Sequence, residues 1–240
     1  MEKVQARIER GMTKLVVPHG NKEITFAYPS IGPNTYTAVG KEILSQGMKV
    51  PTGDYTASLL HTAYCNDSVS KEPEYQNIKG IKGIMRNNFL WVFDKDLWTS
   101  EGVYVVPDLK ATGRSQPLNQ KDLEKMLKGS KELPNGVRFN KDKKVRFAPR
   151  ESYQLESQTP EQLAKNGFVI ASYGIEGAEK LGEVSSKFKV KPYVYGLKTD
   201  TPEQRVSALD DNWDIDGDWL GVSGNGFGDD WDSRAFGVLK

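Results

Sequence analysis

The residues of this chain with the clearest chemical potential are two histidines, one cysteine and a late run of aspartates. His61 and Cys65 stand four apart on a segment with helical spacing, which puts both on one face. Zinc takes imidazole nitrogen and thiolate sulfur, but a structural site needs four ligands. Two ligands do not make such a site, so His61 and Cys65 read as a packed helix face and no metal is expected. Calcium asks instead for alternating oxygen ligands. "NWDIDGD" places Asn212, Asp214 and Asp216 at positions 1, 3 and 5 of an EF-hand frame, with Gly217 at position 6. Position 12, which should carry a bidentate glutamate, is Ser223, and the flanks do not read as helices. "SGNGFG" has fragments of phosphate-loop spacing. It lacks a following helix, and Asp229 and Asp230 beside it would repel an anion. There is no G-x-S-x-G elbow and no P-loop. Many carboxylates are present, yet nothing pairs two of them for acid–base work. No catalytic residue and no cofactor is therefore nominated, and the chain is expected not to be an enzyme.

These residues need elements to position them. The 240 residues suit one large domain or two small ones. Mean hydropathy is -0.59, but an aromatic content of 10% argues against disorder. Net charge is +1, so no overall field selects a partner. Lys121–Arg150 is strongly basic, but its stretch "RFNKDKKVRF" reads as a solvated hairpin, and nucleic acid is not an expected partner. A single cysteine allows no intrachain disulfide, which fits a reducing compartment or an extracellular protein without disulfides. "MEKVQARIERGM" reads as a short amphipathic helix without the apolar run of a signal peptide. No stretch approaches the ~20 apolar residues of a spanning helix. Localisation is left open, with virion and cytoplasm both compatible.

Strands are expected over Lys14–Val17 and Glu23–Ala27 around "PHGNK". Helices are expected over Thr35–Ser45, from Thr52 to about Tyr64, around Ile78, Ile81, Ile84 and Met85, and from Asn119 to Leu127. Phe89–Phe93 and Val103–Val106 read as strands with a polar loop between them. "GVRFNKDKKVRFAP" reads as a hairpin. Thr159-Pro160-Glu161 starts a helix. "GFVIASYG" reads as a buried strand, and Lys189–Leu197 as another. The predicted class is α+β in a single domain over 1–240 with a loop-rich carboxyl-terminal half, leaving a separate region over 1–85 open.

Asp210–Ser233 carries the strongest compositional signal. Seventeen of its 24 residues are Asp, Asn, Ser or Gly, so either turn chemistry or diversification would account for it. Adenine-to-guanine changes in an asparagine codon yield only Asp, Ser or Gly. Lysine and glutamate, which are absent here, would not arise that way.

"RVSALDDNWDIDGDWLGVSGNGFGDDWDSRAFGV" resembles the carboxyl terminus of variable proteins from diversity-generating retroelements. Its carriers are tryptophans interleaved with Asn, Asp, Ser and Gly, followed by a short closing strand over Ala235–Leu239. The resemblance spans about residues 205–240. It implies a C-type lectin-like fold of the formylglycine-generating-enzyme type and an archaeal-virus or archaeal source. It implies a non-enzymatic protein whose diversified surface binds a protein or cell-surface ligand, with oligomeric state open. The binding face it implies consists of Asn212, Asp214, Asp216, Asp218, Trp219, Ser223, Asn225, Phe227, Asp229, Asp230, Trp231 and Asp232, with Trp213 helping to anchor the segment. A calcium module, an enzyme on a similar scaffold, and a viral structural protein with an incidental acidic loop are the competing readings.

Overall fold

The computed structural model describes residues 7–9, 14–76, 80–214 and 217–240. Two sheets and several helices make a mixed α/β fold. The small sheet is antiparallel: β1 (Arg7–Glu9), β2 (Lys14–His19) and β3 (Lys22–Ala27). Arg7–Glu9 is thus a strand where a helix pattern was read, because its backbone pairs with β2. The rest of that amino-terminal pattern lies outside the described residues.

Four helices follow: α1 (Tyr36–Ser45), α2 (Gly53–Cys65), α3 (Pro73–Gln76) and α4 (Ile81–Asn87). Val39 and Ile43 give α1 its buried stripe, and Gly47, at φ 77°, takes the left-handed turn that ends it. Ile78, expected on the third helix, is not among the described residues.

The large sheet is built from β4 (Leu90–Thr99), β5 (Gly102–Pro107), β6 (Lys131–Glu132), β7 (Arg138–Phe139), β8 (Arg146–Pro149), β9 (Glu156–Ser157), β10 (Tyr193–Tyr195), β11 (Glu203–Asp214) and β12 (Gly217–Gly226). Its spatial order is β6-β7-β8-β5-β4-β11-β12-β10-β9. Every pairing is antiparallel except that of β10 with β12. The expected hairpin is present, with Arg138 opposite Phe147 and Phe139 opposite Arg146. Helix α5 (Gln120–Met126) starts at Asn119, whose side chain accepts from Asp122 N. Helix α6 (Pro160–Lys165) begins with a Thr159–Gln162 capping box.

Alternate residues of β4 serve opposite faces of the sheet. Leu90, Val92 and Trp98 join the main core with residues of α2, α4 and the helix α7 (Gly167–Ser185). Trp91 and Phe93 pack with Tyr36, Val39 and Ile43 of α1. Leu97 packs with Tyr104, Phe147 and Leu123 of α5. Main-core residues run from Leu15 to Val238, so both ends of the chain contribute.

Three further expectations concern the helices and the large sheet. "GFVIASYG" is the first part of α7, not a strand. Phe168–Tyr173 is buried throughout, and a helix buried on all sides loses the period that would reveal it. Asn166 caps it by accepting from Phe168 N and Val169 N, and Gly174, at φ 73°, kinks it. Second, the polar stretch after Phe93 is not a loop. It continues β4, hydrogen-bonded to β5 on one side and β11 on the other. Third, the first part of the acidic segment is not a loop but strand, while its later residues, 227–233, are irregular. Glu203–Asp214 and Gly217–Gly226 form the long β11–β12 pair inside the large sheet, with Asp211 opposite Leu220 and Asp214 opposite Gly217. Pairing with β4 and β10 on the outer sides overrides the local turn preference of Gly and Asp.

The residues after β12 knit the two sheets together. Phe26 and Lys49 both bridge Val238, Ile31 bridges Ala235, and Leu90 bridges Arg234. The expected closing strand over Ala235–Leu239 is therefore a series of isolated bridges.

Candidate functional site

The structure divides the nominated face into three groups. Four residues lie on β12. Leu220 and Val222 enter the main core, and Gly224 presses against it: a Cβ there would lie 2.3 Å from Phe168 Cζ. The alternate positions Trp219, Gly221, Ser223 and Asn225 consequently belong to the other face of the strand. Tyr193 and Tyr195 sit beside Gly221 and Ser223 on β10, with ring centroids 4.4 Å apart. Trp219 and Asp218 are half-buried, as is Asn225, which lines a shallow groove of about 270 Å³ with Tyr193, Tyr195 and Lys198. Trp219 also contacts the Tyr195 phenol, whose pKa burial raises above its ordinary value. Ser223 does not line an open face. It is 7% exposed, and its hydroxyl donates to Asn225 Oδ1 at 2.9 Å.

The second group follows β12. Gly228 O accepts from Tyr36 N at 3.1 Å, and Ser233 O accepts from Asn34 N at 2.9 Å. Gly228 is at φ 84°, a conformation that favours glycine. Between these anchors Asp229 and Asp232 are exposed and Asp230 is half-buried. Burial first, and then the charges of Asp229 and Asp232, raise the Asp230 pKa. Phe227 and Trp231 are large aromatics left open, 53% and 74% exposed. The Phe227 ring lies 4.3 Å from the Arg205 guanidinium and 5.1 Å from that of Arg114. Such cation–π contacts hold an exposed ring in place with about 0.5–1 kcal/mol each.

The third group is Asn212, Asp214 and Asp216. Asp216 lies outside the described residues, and of Asn212 and Asp214, as of Trp213, only the backbone pairing is described. That pairing rules against the EF-hand frame. Positions 1 and 12 of the frame, Asn212 and Ser223, lie on two paired strands, where Asn212 is opposite Trp219 and Ser223 is opposite Ala208. An EF-hand loop wraps its ion between two helices.

Sequence reasoning missed the buried acids behind the sheet. Asp94 and Asp96 are both fully buried on β4. Asp96 Oδ2 accepts from Ser207 Oγ at 2.6 Å. Neither oxygen of Asp94 meets a hydrogen-bond donor among the described residues. Burial pushes Asp94 up from 3.8 to about 7; the Arg146 charge works against this, while Asp54 and Asp108 add to it. Asp96 is raised well above its ordinary value, again chiefly by burial. Asp108 makes a useful contrast: it is buried but accepts from Gly113 N, Thr112 Oγ1 and Tyr36 Oη. On β11, Asp211 is pushed to about 7 by burial and by Asp218, with Arg86 Nε 3.7 Å away opposing.

A cavity of about 590 Å³ opens beside this region. Its walls include His19, Asp54, Ser58, Arg146, Tyr173 and Lys180, with Lys131, Lys141 and Lys143 from the basic hairpin region. Ser, His and Asp together suggest a nucleophile, but the hydrogen bonds do not make one. Ser58 Oγ donates to Asp54 O at 3.0 Å and accepts from Lys180 Nζ at 3.0 Å. With the Ser58 proton given to Asp54 O, His19 Nδ1, 2.9 Å away, donates to Ser58 and is not its base, while His19 Nε2 lies 3.5 Å from Asp54 Oδ2. The group clamps β2 to α2 and α7.

No protein-family model matches the chain, and searches of curated proteins and of solved structures likewise return no match.

Proposed function

We propose that this is a non-enzymatic binding protein that recognises a protein or cell-surface ligand through residues 218–232. In this reading the scaffold is C-type lectin-like, and a retroelement diversifies the segment over about residues 205–240. The observation that carries the reading is the exposure of Phe227 and Trp231 on a short segment whose two ends are hydrogen-bonded to the core. Exposed aromatics on a rigid frame are effective binding anchors, because little ordering entropy is lost when they engage. The small polar residues around them supply adaptable hydrogen bonding, as in antibody paratopes.

The fold sharpens which positions would vary. Trp219, Asn225, Phe227, Asp229, Asp230, Trp231 and Asp232 can change side chain without disturbing the main core. Leu220, Val222 and Gly224 cannot, since each is packed against it. Sequencing the encoding locus and several natural copies of the gene tests the proposal. The expected result is a nearby reverse transcriptase and a near-repeat of the 3′ end, with variation at the first set and constancy at the second. Lack of the repeat, or variation centred on Leu220 and Val222, would refute it.

A further inference from the structure

We propose that His61, Cys65 and Glu183 form a binding site for a zinc-class transition-metal ion, clasping α2 to α7. His61 and Cys65 lie on successive turns of α2, and Glu183 comes from α7, a pairing invisible to local spacing. One donor atom from each residue falls within 4.8 Å of the other two. His61 Nε2 and Glu183 Oε2 are 2.7 Å apart.

Tetrahedral zinc, with Zn–N and Zn–O near 2.1 Å and Zn–S near 2.3 Å, sets its donors about 3.4–3.7 Å apart. The three groups reach that spacing with shifts on the order of 1 Å. Glu183, with a side chain 66% exposed, has the freedom to make them. The metal would take the place now held by the proton between His61 and Glu183. Cys65 would bind as thiolate, its proton passing to solvent.

The donor set also names the metal class. Imidazole with thiolate suits zinc and cobalt, whereas calcium and magnesium call for oxygen alone. Three protein ligands leave a fourth position for water, on the side where Glu183 meets solvent.

The test uses the full chain after treatment with a chelator. Cobalt(II) is added first, then zinc(II). The expected result is one cobalt per chain with a thiolate-to-cobalt charge-transfer band, bleached when zinc displaces it. Zinc at about 100 times its dissociation constant should raise the melting temperature by roughly 5–10 °C. Cys65→Ser should abolish the band. Glu183→Gln should weaken zinc binding at least about tenfold while leaving the metal-free melting temperature nearly unchanged. If Cys65→Ser fails to fold, Glu183→Gln decides alone. Absence of the band, or zinc binding indifferent to Glu183→Gln, would overturn the proposal and leave an ordinary His61–Glu183 ion pair.

Discussion

Asp94→Asn should stabilise this protein, and by an amount that depends on pH. In the fold the Asp94 carboxyl is fully buried, faces no hydrogen-bond donor among the described residues, and has its pKa raised from 3.8 to about 7. A raised pKa in the folded state means the unfolded chain releases this proton first. Stability is then fully present below 3.8 and is lost progressively as pH rises toward about 7. The interval between 3.8 and about 7 corresponds to a loss on the order of 4 kcal/mol once the group is ionised in both states. Asparagine has nearly the same shape and no charge to bury. The variant should therefore gain about 1 kcal/mol near pH 4.5 and on the order of 4 kcal/mol near pH 8. Urea unfolding of both proteins at the two pH values measures this directly. A variant that is less stable at pH 8, or that gains equally at both values, would refute the reasoning. It would mean that Arg146 holds Asp94 ionised more strongly than burial opposes it.

Other substitutions probe the sheet and the candidate face. Gly224→Ala would drive a methyl to within 2.3 Å of the Phe168 ring. It should destabilise by about 1–3 kcal/mol or more, read as a fall in the urea midpoint. Trp98→Phe removes the indole N–H that reaches Gly224 O at 2.6 Å in the core, and should cost on the order of 1–3 kcal/mol by thermal or urea unfolding. Trp231→Ala, alone or with Asp229→Ala and Asp232→Ala, should stay within about 0.5 kcal/mol of the parent; a large loss would show these positions to be structural. Asn166→Ala removes the cap of α7 and should cost about 1–2 kcal/mol, with a matching loss of helical circular dichroism on heating.

Several helices and one hairpin were legible because their signals are local. Val39 and Ile43 mark a face of α1, Asn119 and Thr159-Pro160-Glu161 mark helix starts, and "RFNKDKKVRF" reads as strands around a turn. What escaped shares one cause: partners distant in sequence decide the state. Asp94 and Asp96 look solvated, yet β5 and β11 enclose their strand from both sides. Asp210–Gly226 looks like turns, although Leu220 and Val222 alternate with small polar residues in a way that reveals β12 once a strand is considered. Gly224 then continues the inward face, because glycine is what the Phe168 ring leaves room for. The Phe168–Tyr173 run had no period to read, since every residue in it is buried. The split of the nominated aspartates into a hairpin and a post-strand segment follows from sheet register, which composition does not carry.

The bridges made by Arg234, Ala235 and Val238 have a consequence for biosynthesis. Phe26 and Ile31 are synthesised well before their bridge partners, Val238 and Ala235, which lie far downstream in the chain. The amino-terminal hairpin must wait with an open edge, and an open edge invites pairing with other chains. Folding of the whole is thus expected to be governed by one late, long-range closure, slow by the standards of chains rich in local contacts. Residues between the two partners are thus all synthesised before the contact that closes the small sheet onto the segment after β12 can form.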